Sequence, residues 1–408
     1  ETTAPNSFVF NTGSISLNNI PVSLVFQPMQ DGTLNLAWDI SIYLLDASHY
    51  YSMRIDAITG ALLSSNDWVT SCDFGKPTHN HLPNTNTSSS FLHKPENTVS
   101  FNAQGGVSYR VFPVPFESPN HGSDELVLDP ANQDASPFGW HDTNGAPGPE
   151  YTITRGNNVI ARDDIDNNNS GGFSPDGGAS LTFDFPFNFN AAPAEMLPAA
   201  TTNLFYWNNI MHDVYYQYGF DEASGNFQDN NYGNGGTSGD FVDAQAQDGG
   251  GTNNANFSTP ADGGSGRMQM YIWTQTSPTR DGDVDNGIIA HELGHGVSNR
   301  LMGSSTNQTG CVSNGEHAGE GISDYIGLMT TQDWAVANVN TGLVGRGIGT
   351  FALGQPTTGV GIRSQRYSTD LAINNKKYQA SLPTAVHDRG EHWCMAAWEA
   401  TWAIIQQS

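Results

Sequence analysis

Apolar and polar positions alternate along the N-terminal part of the chain. Ile20, Val22, Leu24 and Phe26 alternate, and Leu34, Leu36, Trp38, Ile40, Ile42 and Leu44 alternate again after the Gln30-Asp31-Gly32 turn. Tyr51, Met53 and Ile55 form a third run, closed by Asp56-Ala57-Ile58-Thr59-Gly60. A period of two broken by turn residues is the pattern of half-buried strands, so residues 20–64 read as an antiparallel meander. Residues 76–97 are rich in Pro, Asn, Ser, Thr and His and have no period, which predicts a linker. From about 98 to 193, short apolar runs separated by Gly, Pro, Asn and Asp clusters predict a β-rich region with long loops.

The period then changes. Leu204, Trp207, Ile210, Met211, Val214 and Tyr218 recur at threes and fours, which predicts an amphipathic helix over 204–218 with Gly219 as its stop. Gly-rich loops fill 221–266, and 267–273 alternates as a strand. Helices are predicted around 287–301 and 319–330. A last one starts near His387 and runs through Trp393, Ala397, Trp398 and Trp402. It reaches Ser408 without a capping signal, which suggests a chain cut short of its natural terminus. No internal repeat is evident.

A chain of 408 residues predicts two or three domains at ~150 residues each. Forty-one acidic residues against fifteen basic ones give a formal charge of -26, which repels phosphate backbones and anionic lipid. Nucleic acid and membrane surfaces are therefore not expected as partners. Charged residues are only 14% and hydrophobic ones 37%, so the acidity sits on a globular chain rather than a disordered one. Scarce lysine with abundant Asn, Gly and Thr fits a secreted protein. No apolar run reaches the ~18 residues of a membrane span. The chain opens at Glu1 without a basic and then apolar leader, and reads as a processed product. Cys72, Cys311 and Cys394 leave two arrangements open: one bridge with a free thiol, or three reduced thiols.

The sharpest chemical signal is His291-Glu292-Leu293-Gly294-His295. Histidines four apart on a helix share one face, so both imidazoles can reach one metal ion. Glu292 then lies beside the ion without ligating it, where it can deprotonate a water. Ile288, Ile289, Leu293 and Val297 make this helix apolar and hence buried, and buried histidines need partners. Asp281, Asp283, Asp285 and Glu292 nearly fit a calcium-binding EF-hand loop. However, Asn286 stands where the turn requires Gly, and Pro278 interrupts the entering segment. The aspartates read instead as an acidic loop favoured by the helix dipole, with a separate Ca2+ site there left open. Zinc requires a third protein ligand, and Glu316, His317 and Glu320 are the candidates downstream. Glu320 is preferred because Asp324, four residues on, can orient a ligating imidazole. His79 and His81 read as linker residues and His212 as a packed, hydrogen-bonded one.

His-Glu-x-x-His followed by Glu320-x-Ile322-Ser323-Asp324 resembles the glutamate-ligated zinc metallopeptidases typified by thermolysin. Asn203-Leu204-Phe205-Tyr206-Trp207-Asn208-Asn209, Asn253-Asn254-Ala255-Asn256-Phe257, Arg280-Asp281-Gly282-Asp283 and Gly319-Glu320-Gly321 are more closely similar to the fungalysin family. That resemblance runs from about residue 98 to the end. Ile322 departs from it, standing where the family usually has Trp. The meander ending Ile55-Asp56-Ala57-x-Thr59-Gly60 resembles the tail of a propeptide of such enzymes.

The resemblance implies an α+β, two-lobed thermolysin-like fold. A propeptide-like sheet segment (1–75) and a linker (76–97) would precede a β-rich lobe (98–286) and a helical lobe (287–408). It implies a secreted, monomeric endopeptidase acting on proteins or peptides, with one Zn2+ on His291, His295 and Glu320, and Glu292 as general base. His387, in Val386-His387-x-x-Gly390, would serve the oxyanion, and Arg363 would grip a substrate carbonyl. Asn254 and Ala255 would lie on the strand that pairs with the substrate. No counterpart of thermolysin's oxyanion tyrosine precedes Glu320, and Cys311 stands in that stretch. Two other readings stay open: a latent zymogen whose own propeptide blocks the cleft, and a calcium- or carbohydrate-binding extracellular β-rich module.

Overall fold

The structure, a computed structural model, describes residues 6–29, 32–72, 106–303, 318–377 and 382–407. The expected linker with His79 and His81, the ligand candidates Glu316 and His317, and Cys311 lie outside the described residues, as does the side chain of Cys72.

Alternation in the N-terminal segment becomes a five-stranded antiparallel sheet in simple sequence order. Its strands are β1 (Ser7–Phe10), β2 (Ile20–Pro28), β3 (Leu34–Tyr43), β4 (Tyr50–Asp56) and β5 (Leu62–Asp67). Tyr43 and Tyr50 stack with ring centroids 4.3 Å apart, and with Ala47, Leu17, Trp68 and Val69 they form a small core of their own. The next strand, β6 (Val69–Cys72), leaves this sheet.

Among the described residues nine short strands follow: β7 (Ser108–Val111), β8 (Glu125–Leu128), β9 (Val159–Asp163), β10 (Thr182–Phe183), β11 (Val242–Ala246), β12 (Ala255–Ser258), β13 (Arg267–Met270), β14 (Ile272–Trp273) and β15 (Arg280–Asp281). They build a three-stranded sheet, β10-β7-β8, a β14-β15 ribbon and a mixed five-stranded sheet, β6-β12-β13-β11-β9. The segment expected as one strand over 267–273 is thus two. Met270 pairs with Ala255 in the mixed sheet, whereas Ile272 pairs with Asp281 in the ribbon. Tyr271 is the corner, and alternation alone could not reveal a change of partner.

Among the described residues four α-helices complete the architecture: α1 (Leu197–Tyr216), α2 (Asn286–Gly303), α3 (Ala318–Thr330) and α4 (Val386–Gln407). The last three match their sequence-predicted positions closely. Helix α1 begins seven residues before the predicted Leu204, because Pro198 supplies a first-turn start and residues 199–209 are buried throughout. Burial on every side erases the polar stripe that marks a surface helix. The main core gathers Leu204, Phe205, Trp207 and Met211 of α1, Phe257, Met268 and Met270 of the mixed sheet, and Ile288, Ile289, Leu293 and Val297 of α2. Ile326 and Leu328 of α3 and Trp398 and Trp402 of α4 extend it. The protein is an α+β fold in which α2 is packed on several sides.

Candidate metal centre

Helix α2 is anchored at both ends. The carbonyl of Glu117 accepts from the first amides, Asn286 N at 2.7 Å and Gly287 N at 3.2 Å, which the helix itself leaves unsatisfied. At the other end buried Arg300 donates to Asp240 Oδ2 at 2.6 Å. Between these anchors lie His291, Glu292 and His295, which are 0%, 0% and 1% exposed.

Helix α3 lies against α2 at Gly294. A Cβ there would be 3.1 Å from Ser323 Cα, so the absent side chain lets the two backbones approach. Glu320 is thereby brought under the histidines. His291 Nε2 and His295 Nε2 face each other at 3.0 Å, with the rings nearly perpendicular at 86°. Glu320 Oε2 is 3.4 Å from His291 Nε2, and Oε1 is 3.7 Å from His295 Nε2. Among the described residues this is the one cluster of three metal-ligating side chains whose donor atoms lie within 4.8 Å of one another.

The donor set fits a zinc ion. Bonds of ~2.0–2.1 Å in a tetrahedron set ligand atoms about 3.3 Å apart, close to the spacings just given. His291 Nδ1 bonds Asp324 Oδ1 at 2.8 Å, so its proton sits on Nδ1 and Nε2 is turned to the cluster. Asp324 is fully buried, and burial alone would raise its carboxyl. The Arg363 charge and the His291 bond reverse this and hold it well below the usual range. Burial also opposes the His291 imidazolium, but its bonds to Asp324 and Glu320 prevail and lift it to about 9. Burial, with the charges of His291 and His387, pushes His295 down to about 3 against the pull of Glu320. Without metal, His291 therefore carries the proton that faces His295.

Helix α4 meets α3 through a second pair of glycines. A Cβ on Gly321 would be 2.1 Å from the Gly390 carbonyl oxygen, and one on Gly390 would be 2.5 Å from Glu320 Cβ. One turn before Gly390, His387 Nε2 comes within 3.3 Å of Glu320 Oε2. Arg363 also reaches the cluster, but from behind. It is 3% exposed and grips Asp324 through Nε to Oδ2 (2.7 Å) and Nη2 to Oδ1 (2.8 Å).

Asn254 and Ala255 lie where β12 begins, and Ala255 is 0% exposed. The outer edge of β12 is taken: β6 runs antiparallel to it with Cys72 opposite Ala255, Ser71 opposite Asn256, Thr70 opposite Phe257 and Val69 opposite Ser258. This pairing was not expected, because strand partners so far apart in sequence leave no local signal. Tyr367 was also missed; its hydroxyl donates to Asp324 Oδ2.

The aspartates before α2 are more buried than an acidic loop implies. Asp281, Asp283 and Asp285 are each 0% exposed. Gln247 bonds the first two, through its side-chain amide to Asp281 Oδ2 and its backbone amide to Asp283 Oδ2. Asp285 Oδ2 accepts from Ala352 N, and burial followed by the charge of Glu117 lifts its carboxyl to about 8. His212 is a packed residue, bonded to Asp213 and Asn226. Cys394 is buried and free.

A family model described as fungalysin metallopeptidase (M36) matches residues 108–408. The chain is 40% identical over 323 residues to extracellular metalloproteinase MEP of Fusarium vanettenii, covering 74% of this chain and 46% of that protein. Extracellular metalloproteinase 2 of Arthroderma benhamiae is 36% identical over 312 residues, 73% of this chain and 46% of its own length. Extracellular metalloproteinase 5 of Trichophyton rubrum is 36% identical over 309 residues, with 74% and 46% covered. The chain thus spans about half the length of the curated relatives it matches.

Proposed function

The chain belongs to the fungalysin family of metallopeptidases, and from that premise we propose that it is a secreted zinc endopeptidase cleaving proteins or peptides. The observation that carries this reading is the convergence of His291, His295 and Glu320 from two helices, with Glu292 on the same helix as the histidines. Secretion is supported by relatives named as extracellular. No described helix is long and apolar enough to cross a membrane.

His291, His295 and Glu320 would hold the zinc. When bound, such an ion acts as a Lewis acid on the scissile carbonyl and lowers the pKa of the attacking water. Glu292 accepts that water's proton and returns it to the leaving amine nitrogen. His387, through Nε2, donates to the oxygen that becomes negative in the transition state. Asp324 keeps His291 in the tautomer whose Nε2 faces the site, and Arg363 holds Asp324 in place. Arg363 is therefore read as a positioning residue rather than a direct grip on the substrate. An extended substrate would add to the β12 edge at Asn254 and Ala255 by main-chain pairing. The two-lobed reading puts the sheets of 98–286 on one side of a cleft, the helices of 287–408 on the other and α2 at its floor.

The pairing of β6 with β12 favours a second, compatible reading. Residues 1–75 would be a propeptide remnant whose final strand occupies the backbone edge that substrate would use. The chain would then be latent until that strand leaves. Metal analysis should find one zinc per chain. Cleavage within 76–97 followed by removal of the N-terminal segment should release casein hydrolysis that a chelator abolishes. A chain without zinc, or hydrolysis indifferent to the chelator, refutes the peptidase reading. Full activity with the segment still bound refutes latency alone.

A further inference from the structure

Asp324 is the hub behind the metal ligands. All of its acceptor capacity is used, on residues distant in sequence. Oδ1 takes His291 Nδ1 (2.8 Å) and Arg363 Nη2 (2.8 Å). Oδ2 takes Arg363 Nε (2.7 Å) and the Tyr367 hydroxyl. A carboxylate offers about four lone-pair sites, so each donor fills one.

We propose that Tyr367 is a positioning residue for the metal centre, its phenol completing the set of donors that hold Asp324 against His291. This rests on the zinc reading above. The mechanism leaves Tyr367 unused, yet the residue is built as a fixed support. It is 0% exposed, and its backbone is tied in both directions to Arg346, N to O at 2.7 Å and O from N at 3.0 Å. Arg346 is itself pinned, donating to Leu328 O at 2.9 Å, Thr331 Oγ1 at 2.7 Å and Glu117 Oε2 at 2.8 Å. The ring thus hangs from a strut joined to the end of α3, the helix that carries both Glu320 and Asp324.

Burial, then the Asp324 charge, pushes the phenol well above its ordinary pKa, so it keeps its proton and donates. With Asp324 also 0% exposed, bulk water has no path to replace a lost donor. Removing the hydroxyl leaves Oδ2 one bond short and frees the carboxylate to shift toward the Arg363 fork. The ligating imidazole would move with it. Residues that orient a ligand in this way typically contribute 10–100-fold to metal affinity.

The test is a double-variant cycle read by zinc competition against a chelator, using the full chain as wild type, Tyr367→Phe, Asp324→Asn and the double variant. Tyr367→Phe should bind zinc on the order of 10-fold more weakly, at the lower end of such losses. The double variant should match Asp324→Asn, because Tyr367 acts through Asp324 and has nothing left to hold. Unaltered affinity in Tyr367→Phe, or multiplied losses in the double variant, would each overturn the proposal. If wild type itself fails to bind zinc, the peptidase reading fails. If wild type binds it and Tyr367→Phe binds it equally, only this inference fails.

Discussion

Zinc entry should expel one proton, and the structure says which. In the metal-free site His291 is held protonated to about 9, facing the Nε2 of a neutral His295 across 3.0 Å. A metal ion can bind only after that proton leaves. Below its pKa, each unit of pH therefore weakens binding about 10-fold, so at pH 7 the deficit is on the order of 100-fold. His295, pushed down to about 3, adds no proton of its own above pH ~4. Glu320, held low chiefly by the histidines against burial, adds none either. The window to measure is about pH 5.5–6.5, where a water on the ion keeps its protons. Chelator competition there should show affinity rising tenfold per pH unit, and calorimetry in buffers of different ionisation enthalpy should count about one proton released per zinc. Asp324→Asn removes the anion that sustains the imidazolium, so its slope should flatten. A wild-type affinity independent of pH, or zinc uptake without proton release, would refute this account of the site.

Other expectations follow from single contacts. Glu320→Ala should lose zinc outright, as measured by metal content after dialysis, whereas His387→Ala should keep it. In the active form, His387→Ala should lower kcat on the order of 10²–10³-fold with little change in KM, if it acts as a single oxyanion donor. Unchanged kcat would reduce His387 to a helix-capping residue. Asp285 has a folded pKa raised from 3.8 to about 8. Its contribution to stability is full below the unfolded value and is lost as pH rises toward the folded one. Asp285→Asn should therefore gain on wild type in melting temperature between about pH 4 and 8 and hold level above. A difference independent of pH would contradict that.

Much of the site was legible because it is local. The four-residue spacing of His291 and His295, and of Glu320 and Asp324, maps directly onto one helix face each, and both helices occur where their periods predict. His387 was singled out only through its resemblance to a family motif, and the glycine contact between α3 and α4 brings it to Glu320. What was not legible is non-local or featureless in pattern. Tyr367 reaches Asp324 across 43 positions, in no motif of metal ligands. The β6–β12 pairing joins residues 72 and 255. The first turns of α1 carry Ala, Thr and Asn buried on all sides, so no polar stripe marks them. The Arg363 side chain faces Asp324, a direction that sequence spacing does not encode.

The central claim is that Glu292 is the base of a zinc-dependent hydrolysis, and Glu292→Gln tests it most directly. The residue is fully buried beside ligands that it does not replace, and Gln keeps its shape while losing the capacity to take a proton. With the N-terminal segment released, zinc content and peptide turnover should be measured on the same preparation of wild type and variant. The account predicts one zinc per chain in both, with turnover in the variant lower by several orders of magnitude. A variant that keeps its zinc and still cleaves peptides at the wild-type rate would contradict it.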